Sequence, residues 1–75
     1  MNDYSKLLGR MRERGFTQEA LAKDIGINKS TLNAKLKGRS PFSAIEIDII
    51  CKVLDIPNAE VGVYFFCKKS LDFQT

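Results

Sequence analysis

Seventy-five residues with 12 Lys and Arg, 9 Asp and Glu, a net charge of +3 and no histidine allow one domain built on one modest core. No apolar run is long enough to span a bilayer, no signal peptide is evident, and the distant Cys51 and Cys67, without CxxC spacing, offer too few soft ligands for zinc. Both cysteines are expected as reduced thiols, Cys51 buried and Cys67 near a chain end, which suits a reducing cytoplasm.

The first helix is expected from about Asn2 or Asp3 to Arg14. Tyr4, Leu7, Leu8 and Met11 recur at i, i+3, i+4 and i+7 and so share one face. Gly15 ends it, and Phe16 follows as a core anchor. Arg10, Arg12 and Arg14 read as solvated surface of this helix, with phosphate contact as the alternative. Thr17 is a good N-cap for a second helix from Gln18 to about Ile25, with Leu21, Ala22 and Ile25 inward. Gly26 makes a sharp turn, and Ile27 plugs the corner. Asn28 caps a third helix that continues to about Lys37 and stops at Gly38, with Leu32 and Leu36 inward. Ala22 is small enough to let helices 2 and 3 approach closely.

Ser43 and Glu46 have capping-box spacing and start a fourth helix at about Ala44, which ends at Leu54 or Asp55 before Pro57. It carries two apolar stripes, Ile47, Ile50, Cys51 and Leu54 on one side and Ile45, Ile49 and Val53 nearly opposite. The second stripe needs a cover. Either the aromatics Tyr64, Phe65 and Phe66 fold back over it, or it forms a dimer interface through Ile45, Ile49, Val53, Tyr64 and Phe66. Asn58 is expected to cap a short fifth helix through about Phe65, although Val61, Val63, Tyr64, Phe65 and Phe66 also favour a strand and Gly62 disfavours a helix. The sequence therefore divides into a helical domain over residues 1–66 and an extended or frayed tail over 67–75.

Helices 2 and 3 meet the requirements of a helix-turn-helix. A left-handed turn residue stands at Gly26, the inward positions are apolar, and the outward side chains at the start of helix 3 are able to hydrogen-bond base edges. The residues Thr17-Gln18, Leu21-Ala22, Ile25-Gly26-Ile27, Leu32 and Lys37-Gly38 resemble the Cro/repressor-type, lambda-repressor-like helix-turn-helix family of phage and bacterial regulators. The stretch Ser30–Gly38, with Phe42, Glu46-Ile47, Leu54-Asp55-Ile56 and Tyr64-Phe65-Phe66, resembles short phage-associated regulators of Gram-positive bacteria. The broader likeness covers residues 4–56 and the narrower one most of the chain.

The resemblance implies an all-α domain of four to five helices. It places recognition positions at Asn28, Lys29, Ser30, Asn33, Ala34 and Lys37, and a phosphate-bracing residue at Gln18. Lys29 suits guanine O6 and N7, Asn33 pairs bidentately with adenine, and Ala34 offers a methyl contact. Lys35, Lys37 and Arg39 are expected on phosphates, which position without specifying. Many relatives carry a buried Arg–Glu pair where this chain has Met11 and Leu36, so an apolar contact is expected there.

The reading that follows is a cytoplasmic, nucleoid-associated regulator of transcription. As a homodimer it would bind a pseudo-palindromic DNA operator, with half-sites about 34 Å apart. The rival is a protein-interaction module on the same scaffold, such as an antitoxin or antirepressor. An enzyme is disfavoured, for there is no histidine, no Gly-rich phosphate loop and no carboxylate pair beside a plausible pocket. No cofactor, small-molecule ligand or membrane is expected as a partner.

Overall fold

Thr17, Asn28 and Ser43 each sit in extended backbone and turn a side-chain oxygen onto an amide three residues ahead. Those three caps start the central helices of the computed structural model, which describes residues 3–66. The order is α1 (Ser5–Glu13), α2 (Gln18–Ile25), α3 (Lys29–Leu36), α4 (Ala44–Val53), a 3-10 turn (Asn58–Glu60) and α5 (Val61–Phe65). The caps satisfy amides that have no partner within their own helix. Ser43 makes a full capping box, its own amide donating to Glu46 Oε1 at 2.8 Å. The architecture is all-α. The strand alternative near Val61–Tyr64 does not form, and Asn58 is not a side-chain cap, because Pro57 precedes the turn without any such bond. The tail over 67–75 and the Cys67 thiol lie outside the described residues.

Leu7, Leu21, Leu32, Ile50, Leu54 and Phe65 are fully buried at the centre, one or two from each of the five helices or their ends. At about 2 kcal/mol per large apolar side chain, these six supply much of the driving force for folding. Phe42, in the loop before α4, links Tyr4 and Phe65 through two edge-to-face contacts with centroids 5.3 and 5.6 Å apart. That aromatic row seats α5 against α1. Met11 and Leu36 both lie in the core, as their apolar character requires.

The second stripe of α4 is not bare along its length. Val53 packs on the core, Ile49 is half-buried and Ile45 is 73% exposed. The aromatics divide too: Phe65 is buried against Phe42, Tyr64 is half-buried, and Phe66 is 61% exposed. The stripe therefore grades along the helix, from Val53 on the core to Ile45 in solvent.

Two cations expected at the surface are instead structural. Arg10 reaches from α1 to the end of α4, donating from Nε to the Leu54 carbonyl at 2.9 Å and from Nη2 to the Asp55 carbonyl at 2.6 Å. Those late carbonyls have no helical partner of their own, so a guanidinium fork is a strong way to satisfy them. Lys35 was expected on a DNA phosphate, but its side chain is only 13% exposed. Its Nζ lies 2.8 Å from Glu46 Oε1, donates to the Pro41 carbonyl at 3.1 Å and sits 5.9 Å from the Phe42 ring centroid. It ties α3 to the first turn of α4.

Asp55 takes a left-handed backbone, φ +56°, where the corresponding ends of α1, α2 and α3 use glycine. A side chain there costs roughly 1 kcal/mol. Asp55→Gly should therefore raise the thermal midpoint by a few degrees in a calorimetric scan, about 4–8 °C per kcal/mol at this size.

Burial pushes the Glu46 carboxyl up, but the Lys35 ammonium and the Ser43 donors together outweigh it, so its pKa falls below the ordinary 4.5. The folded state then holds this proton less tightly than the unfolded chain. The resulting stability is present above about pH 4.5 and is lost as pH falls through the folded value. Glu46→Gln should cost about 1–3 kcal/mol at pH 7 by urea denaturation, and the gap from wild type should narrow on going to pH 3.

Candidate nucleic-acid interface

The corner between α2 and α3 is closed by two backbone acceptors, the Ala22 carbonyl and, more weakly, the Lys23 carbonyl, which lies 3.2 Å from the Gly26 amide. The Ala22 carbonyl receives the amides of Gly26 at 2.9 Å and Ile27 at 3.0 Å, and Gly26 adopts φ +90°. A non-glycine residue is strained in that conformation. Ala22 is 2% exposed, and Leu21 and Leu32 are fully buried, so the two helices lock through small and branched apolar groups. Ile25 and Ile27 pack half-buried at the rim.

This corner leaves the start of α3 open. Asn28, Lys29 and Ser30 are exposed, as are Lys37 and Arg39 at its far end, while Gln18, Asn33 and Ala34 are half-buried. Eight residues span about 12 Å, so Lys29 and Lys37 mark opposite ends of one short rod. Lys29, Lys37 and Arg39 form no ion pair among the described residues. No Asp or Glu occurs between Asp24 and Glu46, and Glu46 is committed to Lys35. Open amides and the helix dipole add a partial positive charge at the α3 start. The outward face of α3 is therefore positive with nothing acidic of its own.

Several polar groups at this face are engaged with one another. The Asn28 Oδ1 caps α3 by accepting from the Thr31 amide at 2.8 Å, and it also accepts from the Ser30 hydroxyl at 2.8 Å. Asn28 is thus a capping residue in the first place, and Ser30 keeps only its acceptor capacity. Asn33 Nδ2 donates to Gln18 Oε1 at 3.1 Å, joining the middle of α3 to the first residue of α2. Lys35 is withdrawn to Glu46, and Ala34 offers only a methyl group. Sequence spacing did not reveal the Gln18–Asn33 or Ser30–Asn28 bonds, since short polar side chains carry no periodic signature.

Beside this face runs a shallow groove lined by Thr17, Glu19, Ala20, Ala22, Lys23, Ile27 and Lys29. Its lining mixes apolar Ala20, Ala22 and Ile27 with the acidic Glu19 and the basic Lys23 and Lys29. The Cys51 thiol is buried in the core, and burial, then the nearby Asp48 charge, pushes its pKa up. It stays a neutral thiol at pH 7 and packs as a small apolar group. No helix among the described residues is long and apolar enough to cross a membrane.

The chain is similar to the solution structure of the modulator of repression of the temperate bacteriophage TP901-1 from Lactococcus lactis. The two are 32% identical, the match covers 87% of this chain and 88% of that one, and the TM-score is 0.73. No curated protein matches the chain. A family model matches residues 1–68, and the chain belongs to the family which that model describes as "Protein of unknown function (DUF739)".

Proposed function

We propose that this chain is a small regulator of phage gene expression that acts by binding double-stranded DNA, with α3 in the major groove. The observation that carries the reading is the α3 face itself, exposed at its start, free of acidic side chains and presented by the Gly26 corner. The Cro/repressor-type likeness of residues 17–38 supports it, as does similarity to a phage modulator of repression. In this role Lys29 reads a guanine edge, Lys37 and Arg39 hold phosphates, and Gln18 braces a phosphate at the α2 start. A homodimer would set two copies of α3 into successive groove faces of a pseudo-palindromic operator, and occupancy over a promoter would regulate it.

A second reading is favoured by one observation. The similar structure is named for modulating repression, and the groove at Ala20, Lys23 and Ile27 is a surface that a partner protein would fit. On that reading the chain alters the action of another regulator rather than occupying an operator.

Selection of bound fragments from random DNA, followed by footprinting, separates the two. Lys29→Ala should cut preference for the selected site about tenfold. Lys37→Ala should weaken all sequences alike and lower the salt slope by roughly one. Binding that follows charge with no preferred site favours the second reading, and unchanged protection by Lys29→Ala removes it from the recognition face.

Sedimentation tests the assembly. Wild type should run as a dimer at micromolar concentration, and Ile45→Asp, at a position that is 73% exposed, should shift it to monomer without unfolding it. A monomeric wild type, or a dimer indifferent to this change, would overturn the proposed interface.

A further inference from the structure

We propose that Lys35 is a positioning residue for half-site spacing. Its bridge to Glu46 fixes the angle between α3 and the face through which two copies pair, and so sets the separation of half-sites that the dimer accepts. This rests on the DNA-binding, homodimeric reading and deepens it. Helices α3 and α4 each pack mainly on α2, and Lys35 supplies a direct polar link between them. Its Nζ donates to Glu46 Oε1 at 2.8 Å and to the Pro41 carbonyl at 3.1 Å, which pins the connection between the helices as well as α3 itself. The same Glu46 oxygen accepts the Ser43 amide at 2.8 Å, so the capping box holds the carboxylate in place for the ammonium. A charge-assisted bond between side chains that are 13% and 15% exposed is little screened by salt and allows little play.

What Lys35 grips adjoins the exposed apolar groups. Glu46 follows Ile45, which is 73% exposed. Lys35 Nζ also lies 5.9 Å from the centroid of Phe42, whose ring meets Phe65 edge to face at 5.6 Å, and the exposed Phe66 follows Phe65. One ammonium on α3 thus touches the supports of both apolar groups that pairing would bury. Spacing selectivity needs such stiffness. Inserting one base pair shifts a half-site by ~3.4 Å and turns it by about 35° around the duplex. Two copies with a fixed angle between α3 and the pairing face cannot follow that change, whereas copies whose α3 swings on α4 can.

The test compares wild type, Lys35→Met, Lys35→Met with Glu46→Gln, and Lys37→Ala, all as the full chain. Each is titrated with the site selected from random DNA and with versions carrying one base pair more or fewer between the half-sites. Wild type should lose about tenfold in affinity on either change, and both Lys35 variants should lose only about two- to threefold. Met keeps the length of the stem, and Glu46→Gln relieves the carboxylate left unpaired by Lys35→Met, so the double variant serves if the single one folds poorly. Lys37→Ala removes an exposed charge without touching the bridge, so it should weaken every spacing alike and keep the wild-type ratio. Loss of stability alone lowers binding to all spacings equally and leaves the ratio unmoved; thermal melts report the fold independently. If the folded double variant keeps the wild-type ratio, the bridge only stabilises the fold and the inference fails by itself. If wild type selects no site, or selects a lone half-site, the DNA-binding dimer fails and takes this inference with it.

Discussion

The Ala22 carbonyl accepts two amides, from Gly26 and from Ile27, and that shared acceptor is the constraint on which the candidate interface depends. It forces the chain out of α2 through a left-handed residue and delivers Asn28 in the extended conformation needed for a cap. The start of α3 then projects away from the core with open amides, while Leu32 and Leu36 on the opposite side are buried. A helix so short is marginal by its own propensity, so its direction is set by the corner and by those two leucines. Every outward residue assigned a role on α3 inherits its position from this one bend.

The polar side chains around the bend divide between holding the fold and facing solvent. Arg10 and Lys35 work inward, one closing the end of α4 and the other joining α3 to its beginning. Together they fasten α4 at both ends, so the scaffold beneath α3 does not rest on apolar packing alone. Lys35 has Glu46, the Pro41 carbonyl and the Phe42 ring around it, and these groups offset the loss of water around a cation that is 13% exposed. An exposed lysine at that position would have added one more outward charge. The chain instead spends it on rigidity.

Much of this was legible in the sequence, for identifiable reasons. Caps at Thr17, Asn28 and Ser43 and left-handed turns at Gly15, Gly26 and Gly38 are local chemistry, and each forms as read. The end of α4 was less legible, because Asp55 occupies a backbone conformation that composition assigns to glycine. The inward roles of Arg10 and Lys35 had a faint signal: each stands three residues after a fully buried leucine, Leu7 or Leu32, and so lies on the shoulder of a core stripe. Spacing alone does not decide the matter, since Asp24 has the same relation to Leu21 and stays exposed. What decides it is an acceptor supplied by another element, at Leu54, Asp55 or Glu46, and such a partner is far away in sequence. The two stripes of α4 were legible as stripes, but which of Ile45, Ile49 and Val53 the rest of the chain covers is not written in the helix's own residues.

The number of outward cations also bears on assembly. With Lys35 withdrawn, one copy presents Lys29, Lys37 and Arg39 along α3 and just beyond it, and affinity gained through counterion release grows with each phosphate neutralised. On the proposed function, one base contact from Lys29 and two phosphate contacts from Lys37 and Arg39 would give a single copy weak binding at physiological salt, well short of what an operator requires against a genome of competing sites. Joining two copies makes the second half-site an intramolecular event, so the gains multiply without any new contact to DNA. On the proposed function, the exposed Ile45, Val63 and Phe66 acquire a purpose that a monomer would not give them. Apolar groups of that size are costly to leave in water, and burying them between copies would repay the small charge of each subunit. The economy of cations on α3 and the surplus of apolar surface elsewhere would then be two sides of one design, in which selectivity comes from pairing subunits.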